Sequence, residues 1–597
     1  MNVLGIVHEH NATVCLMQDG VVTFCQGEER LDRIKSSTGF PVCTLRHVYD
    51  RIVEPGEIDL AVIFETTVSG YLAMKARGFV PVPGAQSAPT ASAQRSFRQW
   101  LRETRAGAQL RAVRQRRTEQ DPVVRRESQA WFAAALALDA SRVRYLDHHT
   151  SHAWSVMPAI RRGGRTLVFT LDGYGDGLSA TVSLCEGGKL RRLGASEERH
   201  SLGTYYHDTT RILGMKALED EWKVMGLAPY ARPAHYASLL ARLRNLLGID
   251  ARGGWRSLPE PDRLFATLEE VFRLQRFDHV AGAMQALTEE LIVAWVRHWV
   301  RATGCANVAV AGGVFMNVKA AQRVAALEEI ERLEVMPSAG DESCAIGAAA
   351  WGTSQLDPTL DLQPLRGLYL GQEFSDDEVE GALQATGAGS RYTISRPANI
   401  EHQAARLLAA NRIVARFSGR MEFGARALGN RSILAHPGHP ANVARLNAAV
   451  KGREFWMPFA PSILEEDMAL YVRDAGRIYA PYMCVSFDST AQAQKELPAT
   501  LHPADLTLRP QAVRKSWNPK YYELIESFKA LTGVGAVLNT SFNLHGEPIV
   551  CSPLDAIRVA DRSAIDCLEL GGFLLERRTR DPSPHEDLDT ARSFARA

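Results

Sequence analysis

Short hydrophobic runs separated by hairpin-forming residues open the chain. Residues 2–26 contain the runs VLGIV, TVCLM and VVTFC, and the turn of Asp19 and Gly20 separates the last two. The arrangement returns at 165–193, where TLVFTL and LSATVSL flank a carboxylate-rich turn and a Gly-Gly turn precedes a third strand. Because hydrophobic runs joined by tight turns are typical of β-hairpins, the pattern predicts two copies of one β-meander with a cleft between them.

Helical and strand-like segments alternate along the rest of the chain. Apolar residues follow helical spacing over 264–303 and lead to the strand-like NVAVA at 307–311. A connector at 359–367 precedes a second half, for which we predict helices at 379–386 and 400–410 and strands at 411–417 and 534–538. The alternation predicts an α/β protein with one domain at 1–358 and another at 359–597.

Three segments have the composition of loops or solvated structure. Residues 80–94 are rich in Pro, Ala and Ser and predict a mobile loop. Residues 97–128 are rich in arginine but poor in the aromatic residues that stack on bases, which favours a solvated helical insertion over a nucleic-acid patch. From Arg577 onward the sequence is polar and predicts a frayed tail.

Composition and charge exclude several classes of partner. The chain has 597 residues, of which 46% are hydrophobic, and its 69 Lys and Arg nearly balance 68 Asp and Glu. A net charge of +1 gives no electrostatic reason to expect nucleic acid or an anionic membrane as partner. No apolar run approaches the ~18 residues of a membrane span, so we expect a cytoplasmic protein. Its 9 scattered cysteines predict reduced thiols.

Paired histidines and nearby carboxylates form a candidate metal site. His148 and His152 stand four residues apart and therefore face the same side of a helix. Asp172 follows a strand in LDGYGDG, and Asp341 precedes a small-residue helix in SAGDESCAIGAAA. Such a donor set suits iron(II), zinc or manganese, and the spacing fits ordinary buried histidines with a helix-capping Asp equally well.

Glycine-rich turns at 171–181 and 310–317 are candidates for phosphate binding. Exposed backbone N–H groups at such turns can form an anion cradle, although plain hairpin geometry explains each turn as well. The first turn nominally fits GxGxxA, but a strand follows it rather than a helix, and no GxxxxGK[ST] motif occurs. A Rossmann site is therefore disfavoured, and any ATP site belongs to a fold outside the P-loop class.

Cations concentrate in the second half of the chain. Arg420, Arg426, Arg431, Lys451 and Arg453 alternate with glycine and apolar residues over about 35 positions, which favours a pocket for phosphate or carboxylate groups over a solvated face. The later segment LNTSFNLHGEPIV opens a strand into a turn rich in amides and hydroxyls, which suits ligand binding and ordinary turns alike.

Together these motifs resemble one family. DHHTSHA, TLDGYGDG, EWKVMGLAPY, AGGVFMN, SAGDESCAIGAA, GRMEFGARALGNRSIL, KGREFWMPFAPS and LNTSFNLHGEPIV occur in order along nearly the whole chain and resemble the carbamoyltransferases of nodulation and antibiotic biosynthesis. The resemblance implies an N-terminal domain on the duplicated actin-like fold, similar to the tRNA threonylcarbamoyltransferases, and a C-terminal YrdC-like α/β domain. It implies a cytoplasmic enzyme and leaves a homodimer open.

The resemblance also implies a two-stage reaction. The C-terminal domain would make carbamoyl adenylate from carbamoyl phosphate and ATP with Mg²⁺, and the first domain would transfer the carbamoyl group to a hydroxyl of a small-molecule acceptor. An iron(II)-type metal would be held by His148, His152, Asp172 and Asp341. Nucleotide contacts of the transfer domain would come from Lys223, Gly312, Gly313 and Asn317.

Further roles follow from the same resemblance. Carbamoyl phosphate and ATP would be bound by Arg420, Arg426, Asn430, Arg431, Lys451, Arg453, Arg509, Asn539, Ser541 and Asn543. Lys35 would lie on the acceptor side, and the candidates for the base that takes the hydroxyl proton are His10, His149 and Asp176.

Two other functions remain open at this point. A tRNA threonylcarbamoyl-type enzyme uses the same two folds, but the balanced charge argues against an RNA-binding face. A non-catalytic actin-like ATP-binding module would need neither the paired histidines nor the arginine pocket. The sequence does not name the acceptor molecule.

Overall fold

Two five-stranded sheets with one shared strand order make up the first part of the protein. The computed structural model describes residues 1–65, 72, 122–160, 164–475 and 478–578. The first sheet consists of β1 (Asn2–Val7), β2 (Thr13–Gln18), β3 (Val21–Gly27), β4 (Leu60–Phe64) and β5 (Val143–Leu146). The second sheet and a small ribbon consist of β6 (Thr166–Gly175), β7 (Leu178–Glu186), β8 (Lys189–Glu197), β9 (Leu247–Ile249), β10 (Trp255–Ser257), β11 (Asn307–Ala311) and β12 (Arg332–Val335).

The strand pairing confirms the predicted repeat. The first sheet has the order β3-β2-β1-β4-β5 and the second has the order β8-β7-β6-β11-β12. In each sheet an antiparallel meander continues into two parallel strands. The two predicted meanders are therefore the antiparallel halves of two equivalent sheets.

Helices cover and separate these sheets. They are α1 (Glu29–Asp32), α2 (Val42–Arg51), α3 (Pro122–Ala135), α4 (His148–Ser155), α5 (Leu202–Ile212), α6 (Glu221–Leu227), α7 (Pro233–Arg244), α8 (Pro261–Phe272), α9 (Phe277–Thr303), α10 (Val318–Ala325) and α11 (Cys344–Leu356). The helical spacing predicted over 264–303 belongs to two helices, α8 and α9, and the predicted strand at 307–311 is β11.

The last part of the chain forms one eight-stranded mixed sheet. Its strands and a short two-stranded ribbon are β13 (Tyr392–Ser395), β14 (Val414–Phe417), β15 (Arg431–Ala435), β16 (Ala460–Leu464), β17 (Phe487–Asp488), β18 (Thr507–Leu508), β19 (Gln511–Val513), β20 (Ala536–Ser541), β21 (Cys567–Leu570) and β22 (Phe573–Arg577). The order in the sheet is β13-β22-β21-β14-β15-β20-β16-β19. The protein is thus a mixed α/β protein.

Two of the helices of this part agree with the two predicted ones within a few residues. The helices are α12 (Asp376–Ala385), α13 (Ile400–Ala409), α14 (Ala441–Leu446), α15 (Met468–Tyr471), α16 (Ala491–Glu496), α17 (Pro519–Thr532) and α18 (Pro553–Asp561). Helices α12 and α13 correspond to the predictions at 379–386 and 400–410, and strands β14 and β20 to those at 411–417 and 534–538.

Several expectations for loops and termini are settled only in part. The predicted loop at 80–94 lies outside the described residues, as does the insertion at 97–128 up to the start of α3. The predicted tail starts too early, because Arg577 ends β22 and its guanidinium donates to the carbonyl of Ser563 at 2.9 Å. All nine cysteines are free thiols, and only Cys43 is exposed. No described helix has the length and apolar character needed to cross a membrane.

Two helices between the sheets pack with almost no space at their crossing. Helix α11 contacts β1, β2 and β4, while α4 contacts β6 and β11, and the two helices contact each other. A Cβ added at Gly347 would lie 1.8 Å from the carbonyl oxygen of Ser151. Glycine at this position therefore allows the helix that carries the paired histidines to lie against α11.

We predict that Gly347→Ala destabilises the protein strongly. The added methyl group would meet backbone atoms that cannot rotate away, and such overpacking typically costs about 1–3 kcal/mol. The measurement is the midpoint of thermal unfolding, which should fall by several degrees. Gly381→Ala is the matched control, because Gly381 lies within α12 with no atom near its added Cβ, so its midpoint should stay the same or rise. An unchanged midpoint for Gly347→Ala would contradict the packing described.

Candidate active site

One cavity of about 1080 Å³ is lined by residues from both five-stranded sheets and from the C-terminal sheet. The predicted site residues that line it are His10, Lys35, Asp172, Lys223, Gly313, Asn317, Asp341, Arg426, Lys451, Arg453, Arg509, Ser541 and Asn543. Those that do not line it are His148, His149, His152, Asp176, Gly312, Arg420, Asn430, Arg431 and Asn539. The cavity therefore joins carboxylates of the predicted metal set and cations of the predicted phosphate set.

Helix α4 presents the paired histidines to two carboxylates. Asp147 caps its N-terminus by accepting the backbone N–H of Thr150 at 3.0 Å. The Nε2 atom of His152 lies 3.2 Å from Oδ2 of Asp172 and 3.3 Å from Oδ1 of Asp341. The Nε2 atom of His148 lies 4.0 Å and 3.7 Å from the same two atoms. One potential ligand atom from each of the four residues lies within 4.8 Å of the others.

This donor set fits a divalent transition metal ion. Among the described residues, Nε2 of His148, Nε2 of His152 and Oδ1 of Asp341 are buried without a hydrogen-bond partner. Buried polar atoms left in this way are costly unless a ligand satisfies them. Two imidazoles and two carboxylates form a nitrogen and oxygen set that binds iron(II), zinc or manganese.

The electrostatics of the cluster favour a bound cation. Burial opposes ionisation of Asp172, but the neighbouring imidazoles of His148 and His152 outweigh it and hold the pKa of that carboxyl well below its usual range. The backbone N–H groups of Gly173 and Gly313 also donate to its two oxygens, at 2.6 Å and 2.7 Å. Asp172 is therefore an oriented carboxylate anion at the cavity wall.

Two of the three candidate bases do not line the cavity. His149 is fully buried beside Thr170, with its Nδ1 2.8 Å from the threonine hydroxyl, and burial lowers its pKa to about 3. Asp176 accepts the backbone N–H of His148 at 2.8 Å and so fixes the start of α4. Neither side chain lines the cavity, whereas His10 does.

Three arginines line the cavity on the side of the C-terminal sheet. Arg426, Arg453 and Arg509 have no ion pair or hydrogen bond to another described residue, and Nη1 of Arg509 is buried without a partner. Burial and then repulsion by the neighbouring guanidiniums lower the pKa of Arg453 to about 10 and that of Arg509 well below its usual value. Uncompensated cations at this density favour a ligand with several negative charges.

Lys451 is held in one orientation beside these arginines. Its ammonium group donates to the carbonyl and hydroxyl oxygens of Ser541 at 2.5 Å and 3.0 Å. It also donates to the carbonyl and side-chain oxygens of Asn543 at 3.2 Å and 2.7 Å. Burial and the charge of Arg453 lower its pKa well below the usual lysine value. Four protein oxygens thus fix the Lys451 ammonium group at the cavity wall.

Four predicted phosphate ligands do not line the cavity and make contacts within the protein. Arg431 is fully buried, donates to the carbonyls of Ser418 and Gly419 at 3.1 Å each, and stacks 3.6 Å above the Phe417 ring. Arg420 donates to the carbonyl of Thr23 at 2.7 Å and so joins the C-terminal part to the first sheet.

The two amides of this group are engaged in the same way. Asn430 donates to the carbonyl of Arg420 at 2.8 Å, and Asn539 donates to the hydroxyl of Ser462 at 2.9 Å. These contacts hold the four side chains in place within the protein, and the binding of phosphate by any of them stays a prediction.

The glycine turn after β11 lies against the Asp172 turn. Gly312 has a φ of +99°, and a Cβ there would lie 2.4 Å from the carbonyl oxygen of Leu171. Its glycine is therefore needed for the close approach of two turns, whereas Gly313 faces the cavity. Asn317 caps α10 through the backbone N–H of Ala320 at 3.0 Å.

Two lysines on the cavity wall are already ion-paired. Lys223 on α6 lies 2.7 Å from Glu454 of the C-terminal part and 3.2 Å from Asp220. The Lys35 ammonium lies 3.0 Å from the Glu219 carboxylate. This ion pair connects the segment after α1 to the segment between α5 and α6. Both lysines therefore contribute to the contacts between parts of the protein, in addition to lining the cavity.

Exchange of the two charges at Lys223 and Glu454 separates these roles. If Lys223 acts chiefly through its pair with Glu454, the single variant Lys223→Glu should reduce the enzyme's turnover about tenfold, because a partly buried pair contributes about 1–2 kcal/mol. The double variant Lys223→Glu with Glu454→Lys re-forms the pair with the charges exchanged and should restore most of the turnover. The measurement is the steady-state turnover rate of the single and the double variant, each compared with that of the wild-type enzyme. Failure of the exchange to restore turnover would assign Lys223 to nucleotide binding instead.

Neither Glu342, which lines the cavity, nor Glu454, which pairs with Lys223, was singled out from the sequence. Glu342 lines the cavity next to Asp341, accepts the hydroxyl of Ser338, and has its pKa raised by burial. Glu342 directly follows the predicted metal ligand Asp341 in the GDES turn, and this position could have indicated a place in the site. Glu454 stands in the KGREF segment among cations, and only the folded structure reveals its partner on α6.

Comparisons with known proteins show which family models and relatives the chain resembles. The family model Carbamoyltransferase N-terminus matches residues 2–350, and Carbamoyltransferase C-terminus matches residues 405–577. Nodulation protein NolNO of Sinorhizobium fredii is 32% identical over 98% of this chain and 83% of its own length. Nodulation protein NolO of Bradyrhizobium diazoefficiens is 35% identical over 72% of this chain and 79% of its own length.

More distant relatives extend the comparison. The 3'-hydroxymethylcephem-O-carbamoyltransferase of Amycolatopsis lactamdurans is 32% identical over 45% of this chain and 48% of its own length. The solved structure of full-length HypF covers 60% of this chain and 56% of its own at 10% identity and a TM-score of 0.32, which is too distant to bear on function. On the strength of the two family models and the full-length relative, the chain belongs to the carbamoyltransferase family of enzymes.

Proposed function

We propose that this enzyme is an ATP-dependent O-carbamoyltransferase that works in two stages. Its C-terminal domain, which we take to be YrdC-like, makes carbamoyl adenylate from carbamoyl phosphate and ATP. Its N-terminal domain, which we take to be a duplicated actin-like fold, transfers the carbamoyl group to a hydroxyl of a small secondary metabolite. The observation that carries the proposal is one cavity lined both by unpaired arginines and by two carboxylates of the His/Asp donor set.

The first stage needs cations that neutralise several phosphates. Carbamoyl phosphate and water give carbamate and phosphate, and the carbamate oxygen then attacks the α-phosphorus of ATP and releases pyrophosphate. Arg426, Arg453 and Arg509 would bind these phosphates and stabilise the charge that grows on the leaving pyrophosphate. Lys451, which Ser541 and Asn543 hold in place, would add positive charge beside these arginines, and Mg²⁺ would accompany the ATP.

The second stage needs an activated carbonyl and a base. A divalent metal bound by His148, His152, Asp172 and Asp341, iron(II) by family resemblance, would polarise the carbamoyl carbonyl and neutralise phosphate charge. The acceptor hydroxyl then forms the new C–O bond while the bond between the carbamoyl carbon and the AMP oxygen breaks. His10 is the candidate that takes the hydroxyl proton, because it alone of the three candidate bases lines the cavity.

The names of the relatives favour a small-molecule acceptor. Two relatives are nodulation proteins, and another is an O-carbamoyltransferase of a hydroxymethylcephem. The net charge of +1 likewise gives no support for a tRNA substrate. Gly313 and Asn317 would contact the nucleotide of the adenylate, and Lys35 would lie on the acceptor side of the cavity.

The test is a reaction without acceptor. Purified protein loaded with iron(II) under anaerobic conditions is incubated with ATP and carbamoyl phosphate, and carbamoyl adenylate is sought by mass spectrometry. We expect carbamoyl adenylate and pyrophosphate only when both substrates are present. Absence of the adenylate in metal-loaded protein would refute the proposed two-stage reaction.

A further inference from the structure

A glutamate outside the four-residue donor set contacts one of its histidines. Glu65 directly follows β4, and its Oε1 lies 3.1 Å from Nδ1 of His148. The His148 side chain is 3% exposed and that of Glu65 is 13% exposed, so the contact is largely shielded from water. His152 differs, because its Nδ1 has no hydrogen-bond partner among the described residues.

The backbone at Glu65 has an unfavourable conformation for its residue type. Its φ is +71°, in the left-handed region that glycine and asparagine adopt far more readily than glutamate. Residues held in such conformations concentrate at functional sites, where the surrounding structure maintains them. The combination of backbone strain and a contact to His148 distinguishes Glu65 from an ordinary residue at a strand end.

From these observations we infer that Glu65 is a positioning residue for the metal site. A carboxylate only accepts hydrogen bonds, so the hydrogen of the neutral His148 ring resides on Nδ1 and its Nε2 lone pair is directed at Asp172 and Asp341. A carboxylate behind a histidine ligand fixes the ring orientation and raises the basicity of the ligand. The inference rests on the metal site of the proposed function.

Other contacts hold the same ring, so loss of Glu65 should weaken binding rather than abolish it. The Phe64 ring centroid lies 4.9 Å from that of His148, and a Cβ at Gly175 would lie 2.1 Å from its Cγ. Removal of such a carboxylate partner typically weakens metal affinity about 10- to 100-fold.

The test measures Co²⁺ affinity and thermal stability of the metal-free full-length protein. Asparagine is one methylene shorter than glutamate, so Glu65→Asn removes the contact with His148. Asparagine also suits the left-handed backbone at this position. We expect about 10- to 100-fold weaker Co²⁺ binding, an altered Co²⁺ absorption spectrum, and an unfolding midpoint no lower than that of the wild type. Glu65→Gln, whose amide oxygen still accepts the Nδ1 hydrogen, should lose less affinity than Glu65→Asn.

Glu186→Asn provides the control, because Glu186 is 67% exposed at the end of β7 and should leave Co²⁺ affinity unchanged. Wild-type affinity in Glu65→Asn would overturn the inference while the proposed metal site stands. A loss of Co²⁺ affinity in Glu65→Asn together with a lower unfolding midpoint would also overturn the inference, because it would mean that Glu65 stabilises the fold. Failure of the wild-type protein to bind Co²⁺ would overturn the metal site and the inference together.

Discussion

His152→Ala is expected to stop carbamoyl transfer while carbamoyl adenylate still forms. His152 is fully buried, and its Nε2 lies within 3.3 Å of both carboxylates of the donor set. Removing the His152 imidazole leaves two carboxylates and one imidazole in the donor set. It therefore weakens binding of the metal ion that, in our proposal, activates the carbamoyl carbonyl. Loss of about 4 kcal/mol of transition-state stabilisation corresponds to a roughly 1,000-fold lower rate. The measurement is the rate of carbamoylated product, with the adenylate quantified in the same samples.

His402→Ala is the matched control, because His402 is exposed on α13 and far in sequence from the donor set. It should leave both stages unchanged. The account is contradicted if His152→Ala transfers the carbamoyl group at the wild-type rate, or if it loses adenylate formation while its fold is intact.

Arg426→Ala is expected to abolish adenylate formation without lowering stability. Its guanidinium lines the cavity and has no hydrogen bond or ion pair to another described residue, so its loss would remove charge-assisted hydrogen bonds to phosphate. The buried carboxyl of Glu342, which attracts Arg426 electrostatically, keeps its hydrogen bond from Ser338. Two charge-assisted hydrogen bonds to phosphate contribute about 3–6 kcal/mol, which corresponds to a rate loss of about 100-fold or more. The charge of Arg426 also lowers the pKa values of Arg453 and Arg509, so its removal relieves repulsion. Pyrophosphate release and the unfolding midpoint measure the two effects.

Arg431→Ala is the informative contrast from the same loop. Because Arg431 is buried and donates to backbone carbonyls, its substitution should lower the unfolding midpoint, and any loss of activity should follow from that. If Arg426→Ala also lowered the midpoint and kept adenylate formation, the assignment of the phosphate pocket would be wrong.

Features set by neighbouring residues were predictable from the sequence. The two meanders follow from hydrophobic runs and turn residues, and the common face of His148 and His152 follows from helical periodicity. The sequence also singled out Asp172 in the LDGYGDG segment and Asp341 before a small-residue helix, and both line the cavity. These inferences depend on local geometry alone.

Features set by tertiary packing were not predictable in the same way. Arg426 and Arg431 stand five positions apart in one motif, yet one lines the cavity and the other is buried against Phe417. Nothing in residue type separates them, because the direction of each side chain depends on strands that are distant in sequence. The left-handed backbone of Glu65 and the pair of Lys223 with Glu454 are hidden from the sequence for the same reason.

The nucleotide product tests the central claim most directly. Wild-type enzyme with ATP, Mg²⁺ and carbamoyl phosphate can be followed by phosphorus NMR in the absence of acceptor. The account predicts cleavage between the α- and β-phosphates of ATP, with pyrophosphate and a carbamoyl-bearing AMP as products and a phosphate from carbamoyl phosphate. Formation of ADP without pyrophosphate, or no change in ATP, would contradict it.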